Sequence, residues 1–245
     1  MMVMPRCILA ASLLSATFAA ALAAEQPLSD EAQALIVPIF QAYAEVDHLL
    51  TLLPAPGDVT EELIRMKSID QAGRDFYAMI DLTVLPGAER DAAFDAIWNE
   101  INRRDLENQN RLKELMPENG WFTISEYGLE GALSAFLIVQ HALNDPALQN
   151  RALAAMEPLV GSDEIDGRAY ALLYDRLAMG SGRYQRYGSQ MICQDNRWVL
   201  YPLEDSDGVD DRRREANFDL SLSENMARFA DRPPCPGDYD GPLPE

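Results

Sequence analysis

The chain has 245 residues, 48% of them hydrophobic, and its 40 acidic against 20 basic residues leave a formal net charge of −20. A field of that sign repels nucleic acid and anionic membrane surfaces, so function classes that depend on either are excluded. Without its amino-terminal segment the chain still has about 220 residues, enough to bury a sizeable core.

That amino-terminal segment, residues 1–23, has the three parts of an export signal. Arg6 makes the start positive, Cys7 to Ala20 is an apolar run, and Ala21-Leu22-Ala23 puts small residues at −3 and −1. Cleavage is expected after Ala23, with Ala24 as the alternative. The apolar run falls short of the ~20 residues a spanning helix needs, so it reads as a signal rather than an anchor. The expected location is periplasmic or secreted, with no stable membrane insertion after cleavage. Removing the signal makes the protein one unit more acidic and takes away Cys7. The remaining pair, Cys193 and Cys235, is expected to form a disulfide in an oxidising compartment. Closing that loop stabilises by about 3–4 kcal/mol on the chain-entropy model.

Helical signals follow. Ser29 and Asp30 can cap a helix to about Leu53, interrupted near Pro38, and Pro54-Ala-Pro-Gly57 breaks the chain. Thr60 can cap a second helix, Glu61 to about Leu82, with Leu63, Met66, Ile69, Gly73 and Phe76 along one face. After Pro86-Gly87 a long helix runs from about Ala88 to Met116, with Phe94, Ile97, Trp98 and Ile101 at helical spacing and Gly120 beyond its end. Leu129 to Leu143 is apolar almost all round, as in a helix at the centre of a domain. Asp145-Pro146 starts another helix, and Asp166 starts one covering Arg168 to Met179, stopped by Gly180-Ser-Gly182.

The pattern then changes to strands. Tyr187 to Cys193 and Arg197 to Tyr201 flank Gln194-Asp195-Asn196 as a β-hairpin. The tail carries the charged run Asp210 to Glu215, a short helix with the capping box Ser221-x-x-Glu224, and a Pro-rich end from Pro233 pinned at Cys235. There are no internal repeats. The fold class expected is mainly α: a multi-helix globular domain with one C-terminal β-hairpin and an extended, disulfide-pinned tail. A single domain would span 24–245, made of N-terminal helices to 118, a core over 119–215 with the hairpin inside 184–202, and the tail over 216–245.

Several pieces resemble one family. Gly120-Trp121-Phe122-Thr123, Gly131-Ala132, Val139-Gln140-His141-Ala142 with Asp145, and Tyr174-Asp175-Arg176 stand in order. They are followed by Gln185-x-Tyr187-Gly188-Ser189-Gln190 and Pro202-Leu203-Glu204-Asp205 with Val209-Asp210. Upstream come Met66, Asp70-Gln71, Arg74, Asp105 and Asn110. The set resembles the bacterial domain of unknown function 6624. Ser189 stands where most relatives have Thr, Phe122 where Pro is usual, and Leu143 where an acidic neighbour of His141 is usual. The resemblance implies a shared helical fold and no activity.

The candidate site residues each have two readings. His141, near the end of the apolar helix, is a general base or proton shuttle, or else a histidine satisfied inside the core. Arg176 falls close to the inner face of its helix and Asp175 at the edge of that face, and a buried guanidinium there needs carboxylate or carbonyl partners, or else an anionic ligand. Gln185, Tyr187, Ser189 and Gln190 could bind a sugar or peptide, or satisfy backbone where a strand leaves the helices. Asp70, Gln71 and Arg74 share a face. A solvated pair of this kind is worth only ~0.3–0.5 kcal/mol, and packing against His141 would change its meaning. The two histidines, His48 and His141, are far apart, so no metal is expected and no cofactor is implied. No nucleophile elbow, phosphate loop or dinucleotide fingerprint occurs.

Three functions remain open. One is a binding domain for a small polar ligand or an envelope protein. Another is a hydrolase or lyase using catalytic His141 with Asp175 or Asp70, with Arg176, Gln185, Tyr187, Gln190, Asp70 and Arg74 as ligand-binding residues. The third is a structural or interaction role. They divide on whether His141, Asp175, Arg176, Gln185 and Gln190 converge on one pocket.

Overall fold

The computed structural model describes residues 28–195, 197–230, 232 and 238–244. The export signal with Ala23 and Ala24, and Cys235 of the expected disulfide, lie outside the described residues. Within them the chain forms eight α-helices and one two-stranded antiparallel hairpin, the mainly α class expected.

Helix α1 (Asp30–Thr51) starts where Ser29 Oγ accepts the Ala32 N–H at 3.1 Å. It runs unbroken through Pro38, against expectation. The missing proline amide costs one main-chain bond, and burial of Ile36, Ile39 and Tyr43 around it holds the helix together. Helix α2 (Val59–Tyr77) is capped by Asp58 rather than Thr60. Asp58 Oδ1 accepts the Glu61 N–H at 2.8 Å, while the Thr60 hydroxyl donates to the Tyr127 carbonyl. It also ends short of Leu82, which instead opens a 3-10 turn (Leu82–Val84) before α3 (Gly87–Leu115).

Helix α4 (Ile124–Gln140) has a non-helical residue at Gly128, φ +68°, a left-handed conformation that a side chain would resist. Its core face is Ala132, Ala135, Phe136, Ile138 and Val139, while Leu129 and Leu143 are exposed, so the segment is less enclosed than its composition suggests. Asp145 caps α5 (Pro146–Met156) through the Leu148 N–H at 2.9 Å, and Asp166 caps α6 (Gly167–Gly180) through the Ala169 N–H at 2.7 Å.

Strands β1 (Met191–Gln194) and β2 (Arg197–Leu200) pair with Met191 opposite Leu200 and Cys193 opposite Trp198. The charged run becomes α7 (Val209–Glu215). At α8 (Leu222–Ala230) the capping box closes both ways, Glu224 Oε2 accepting the Ser221 N–H at 2.8 Å and Ser221 Oγ accepting the Glu224 N–H at 3.2 Å.

Helix α2 is the axis, packing on α1, α3 and α4. Two hydrophobic cores flank it. The larger joins Leu63 and Met66 to Trp121, Phe122, Phe136, Val139, Leu148, Leu173 and Phe218. The smaller joins Ile36, Ile39 and Tyr43 of α1 to Ala93, Ile97 and Ile101 of α3. The start of α6 lies against the end of α7, where a Cβ on Gly167 would come within 1.4 Å of the Ala216 carbonyl oxygen. The described tail residues fold back on the hairpin. Tyr239 N–H donates to the Cys193 carbonyl at 2.9 Å, and Tyr201 Oη donates to the Pro242 carbonyl at 2.9 Å. Among the described residues no helix is long and apolar enough to cross a membrane.

Candidate functional site

The segment between α6 and β1 is held by side chains instead of a ladder. Asp175 is fully buried, and its carboxylate accepts the N–H groups of Arg186 (2.7 Å), Tyr187 (3.0 Å) and Ser189 (2.9 Å). Burial raises its pKa above the ordinary carboxylate value, and those amides oppose the shift. Gln185, also fully buried, donates to the carbonyls of Gln190 (3.1 Å) and Tyr201 (2.6 Å) and accepts the Gln190 N–H at 2.9 Å. The Tyr187 ring packs edge-on against Tyr170 and Tyr174. Arg213 closes this region from α7, donating to the Tyr187 carbonyl at 2.6 Å and to that of Leu220, with its guanidinium 3.7 Å from the Phe218 ring centroid.

A second polar cluster lies where α2 meets α3 and α4. Asp70, 1% exposed, is no solvated partner of Arg74. Its two oxygens each lie 2.9 Å from His141 Nδ1, and Oδ1 also accepts from Arg74 at 3.1 Å while Oδ2 accepts from Gln71. Arg74 reaches on to Asp105 at 2.6 Å. Burial raises the Asp105 pKa, and the Arg74 guanidinium opposes the rise. Burial also pushes the Tyr43 hydroxyl up to about 12. Tyr43 Oη, Asp105 Oδ1, Gln109 Nε2 and Gln140 Oε1 are shut off from solvent without a hydrogen-bond partner. His141 is the C-cap of α4, so the helix end sets its ring over α2.

Beside this cluster, α6, α8 and the segment before β1 enclose a cleft of about 350 Å³. Arg168, Arg176, Arg228 and Arg232 line it with Gln140, Ser189, Gln190 and Asn225, and among the described residues no carboxylate lines it. Among the described residues none of the four arginines shares an ion pair. Arg176 is the most enclosed. Its Nε is hidden from solvent and has no partner, and burial, with the Arg74 guanidinium nearby, pulls its pKa below the ordinary arginine value. A half-buried guanidinium left without a carboxylate costs free energy that an anion in the cleft would recover.

A family model matches residues 57–231, well over half of the chain, and its description is a family of unknown function, DUF6624. The chain belongs to DUF6624. No curated protein and no solved structure matches it. The DUF6624 region contains Asp70, Arg74, Asp105, His141 and every cleft residue named above except Arg232.

Within this DUF6624 domain the expected site residues separate into three places. Arg176 and Gln190 line the cleft. Asp70, Arg74 and His141 meet in the polar cluster, the packing that gives the Asp70–Arg74 pair its meaning. Asp175, Gln185 and Tyr187 point into the core, their polar atoms or rings engaged by the 185–190 segment and its neighbours. Arg168, Arg228, Arg232 and Asn225 were not singled out from the sequence. Arg168, Leu172 and Arg176 recur at every fourth residue, and Arg228 and Arg232 do the same, so each stripe was legible. That the two stripes face one another was not. Among the described residues no three His, Cys, Asp or Glu side chains are grouped to hold a metal ion.

Proposed function

We propose that this protein is an exported binding domain for a small anionic molecule, seated against Arg176 in the arginine-lined cleft. One observation carries the reading. In a chain with twice as many acidic as basic residues, four arginines line a cleft that no carboxylate of the described residues lines. Elsewhere Arg74 pairs with Asp70 and Asp105 and Arg104 with Asp47 and Glu100, while the buried Arg213 is met by the carbonyls of Tyr187 and Leu220. A guanidinium offers forked donors suited to a carboxylate or phosphate, and Gln190, Ser189 and Asn225 add neutral polar groups around it. Export rests on the amino-terminal signal pattern. The Cys193–Cys235 bridge belongs to the same proposal and is supported by the tail residues that return to Cys193.

A second reading has an observation of its own. With Nδ1 on Asp70, His141 keeps Nε2 for a proton, the arrangement of an oriented general base. Its side-chain bonds among the described residues run to Asp70 alone, so no hydroxyl or thiol nucleophile is aligned on it. Water activation is the chemistry that arrangement would serve.

Titration calorimetry with inorganic phosphate and with citrate tests the binding reading. Binding of at least one anion is expected, with Arg176→Gln weakening it at least about tenfold, the scale of one lost charge-assisted contact. Equal binding by the variant, or no binding of either anion, would contradict it.

A further inference from the structure

The arginine-lined cleft has a neighbour. A second cleft, of about 600 Å³, is lined by Leu143, Pro146, Leu177 and Met179 together with Gln149, Asn150, Gly180, Ser181 and Arg183. Two residues line both clefts, Arg176 and Gln190. The chemistry changes across them. On one side lie three further arginines and the amides of Gln140 and Asn225. On the other lie aliphatic side chains from the α4–α5 turn and the end of α6, with Leu143 well exposed to solvent.

Resting on the anion-binding reading, we infer that the ligand is amphipathic: an anionic group held on the Arg176 side and an apolar arm of several carbons lying along Leu143, Pro146, Leu177 and Met179. Each half of that ligand answers a feature of the site. Arg176 lines both clefts and shares no ion pair among the described residues, so its guanidinium calls for an acceptor. The exposed Leu143, beside Pro146 and Met179, forms an apolar wall that water covers poorly. A small inorganic ion would leave that wall bare, and a neutral apolar molecule would leave Arg176 unsatisfied. Together the two clefts have the volume of ordinary small-molecule sites. Carboxylate and phosphate share the required chemistry, so the headgroup is either.

The test is calorimetric titration of the intact protein with two series, n-alkyl carboxylates and n-alkyl monophosphates from ethyl to hexyl, with inorganic phosphate and 1-hexanol as references. Affinity is expected to rise at least about tenfold from ethyl to hexyl in one series, against the roughly fourfold per methylene that full burial would give. Hexanol is expected to bind far more weakly than the hexyl anion. Leu143→Gln, at a position too exposed to threaten folding, and Met179→Gln should flatten the chain-length dependence while leaving phosphate binding in place. Phosphate binding without any chain-length dependence would overturn the amphipathic ligand and leave the anion site standing. Hexanol binding as tightly as the hexyl anion would overturn it too. Failure of every anion to bind would overturn both readings.

Discussion

Asp175 and Arg176 are neighbours in the chain with opposite fates. The aspartate turns inward and terminates three backbone N–H groups of the 186–189 segment, while the arginine turns toward the clefts and meets no carboxylate. The sequence placed Arg176 near the inner face of a helix and Asp175 only at its edge, and left open whether they pair. They do not, because the segment that follows α6 supplies enough amides to satisfy the carboxylate by itself. Asp175→Asn should therefore lower stability by about 2–3 kcal/mol, since an amide nitrogen would face a buried N–H and leave it unsatisfied. Chemical denaturation reads the effect directly. A loss under about 0.5 kcal/mol, the range of an ordinary surface substitution, would contradict the account of this side chain. The same inward turn explains why Gln185 and Tyr187, expected at a binding surface, lie in the core: an amide or a ring near a strand start serves the backbone as readily as a ligand.

Elements were legible where local chemistry decides them. The caps at Ser29, Asp145, Asp166 and Ser221 were each marked by a short polar side chain before an apolar run, and the hairpin by its change to alternating residues. What local chemistry does not decide was missed. Pro38 stays inside α1 because tertiary burial outweighs one lost bond, and Asp58 takes the cap from Thr60 because a carboxylate two residues earlier is a better acceptor. The contact between α6 and α7 is another such case. Gly167 opens α6 with the Ala216 backbone in the space a side chain would fill. Gly167→Ala should cost about 3 kcal/mol or more, despite alanine's better helix propensity, because the clash is with backbone that cannot rotate away. Thermal unfolding of the variant checks this, and an unchanged or raised midpoint would contradict it. Since α6 also carries Arg168 and Arg176, a variant that does fold should bind anions more weakly.

Across the whole molecule, charge and site run in opposite directions. The surface is acidic enough to repel anions at a distance, yet the cleft between α6 and α8 gathers arginines without acidic partners. Composition announced the first fact and concealed the second, because a net charge averages over the positions that matter. The Asp70–His141 cluster was legible as residues and not as a meeting, since its members come from α2, α3 and α4 and only the packing of α2 against its neighbours brings them together. The most direct test of the anion site is a crystal soaked in millimolar selenate, read by its anomalous signal. The account predicts a selenium peak about 4 Å from the Arg176 guanidinium nitrogens, the distance at which a selenate oxygen accepts their hydrogen bonds, beside Gln190, and the loss of that peak in Arg176→Gln. Selenium bound elsewhere with the Arg176 cleft empty would contradict it.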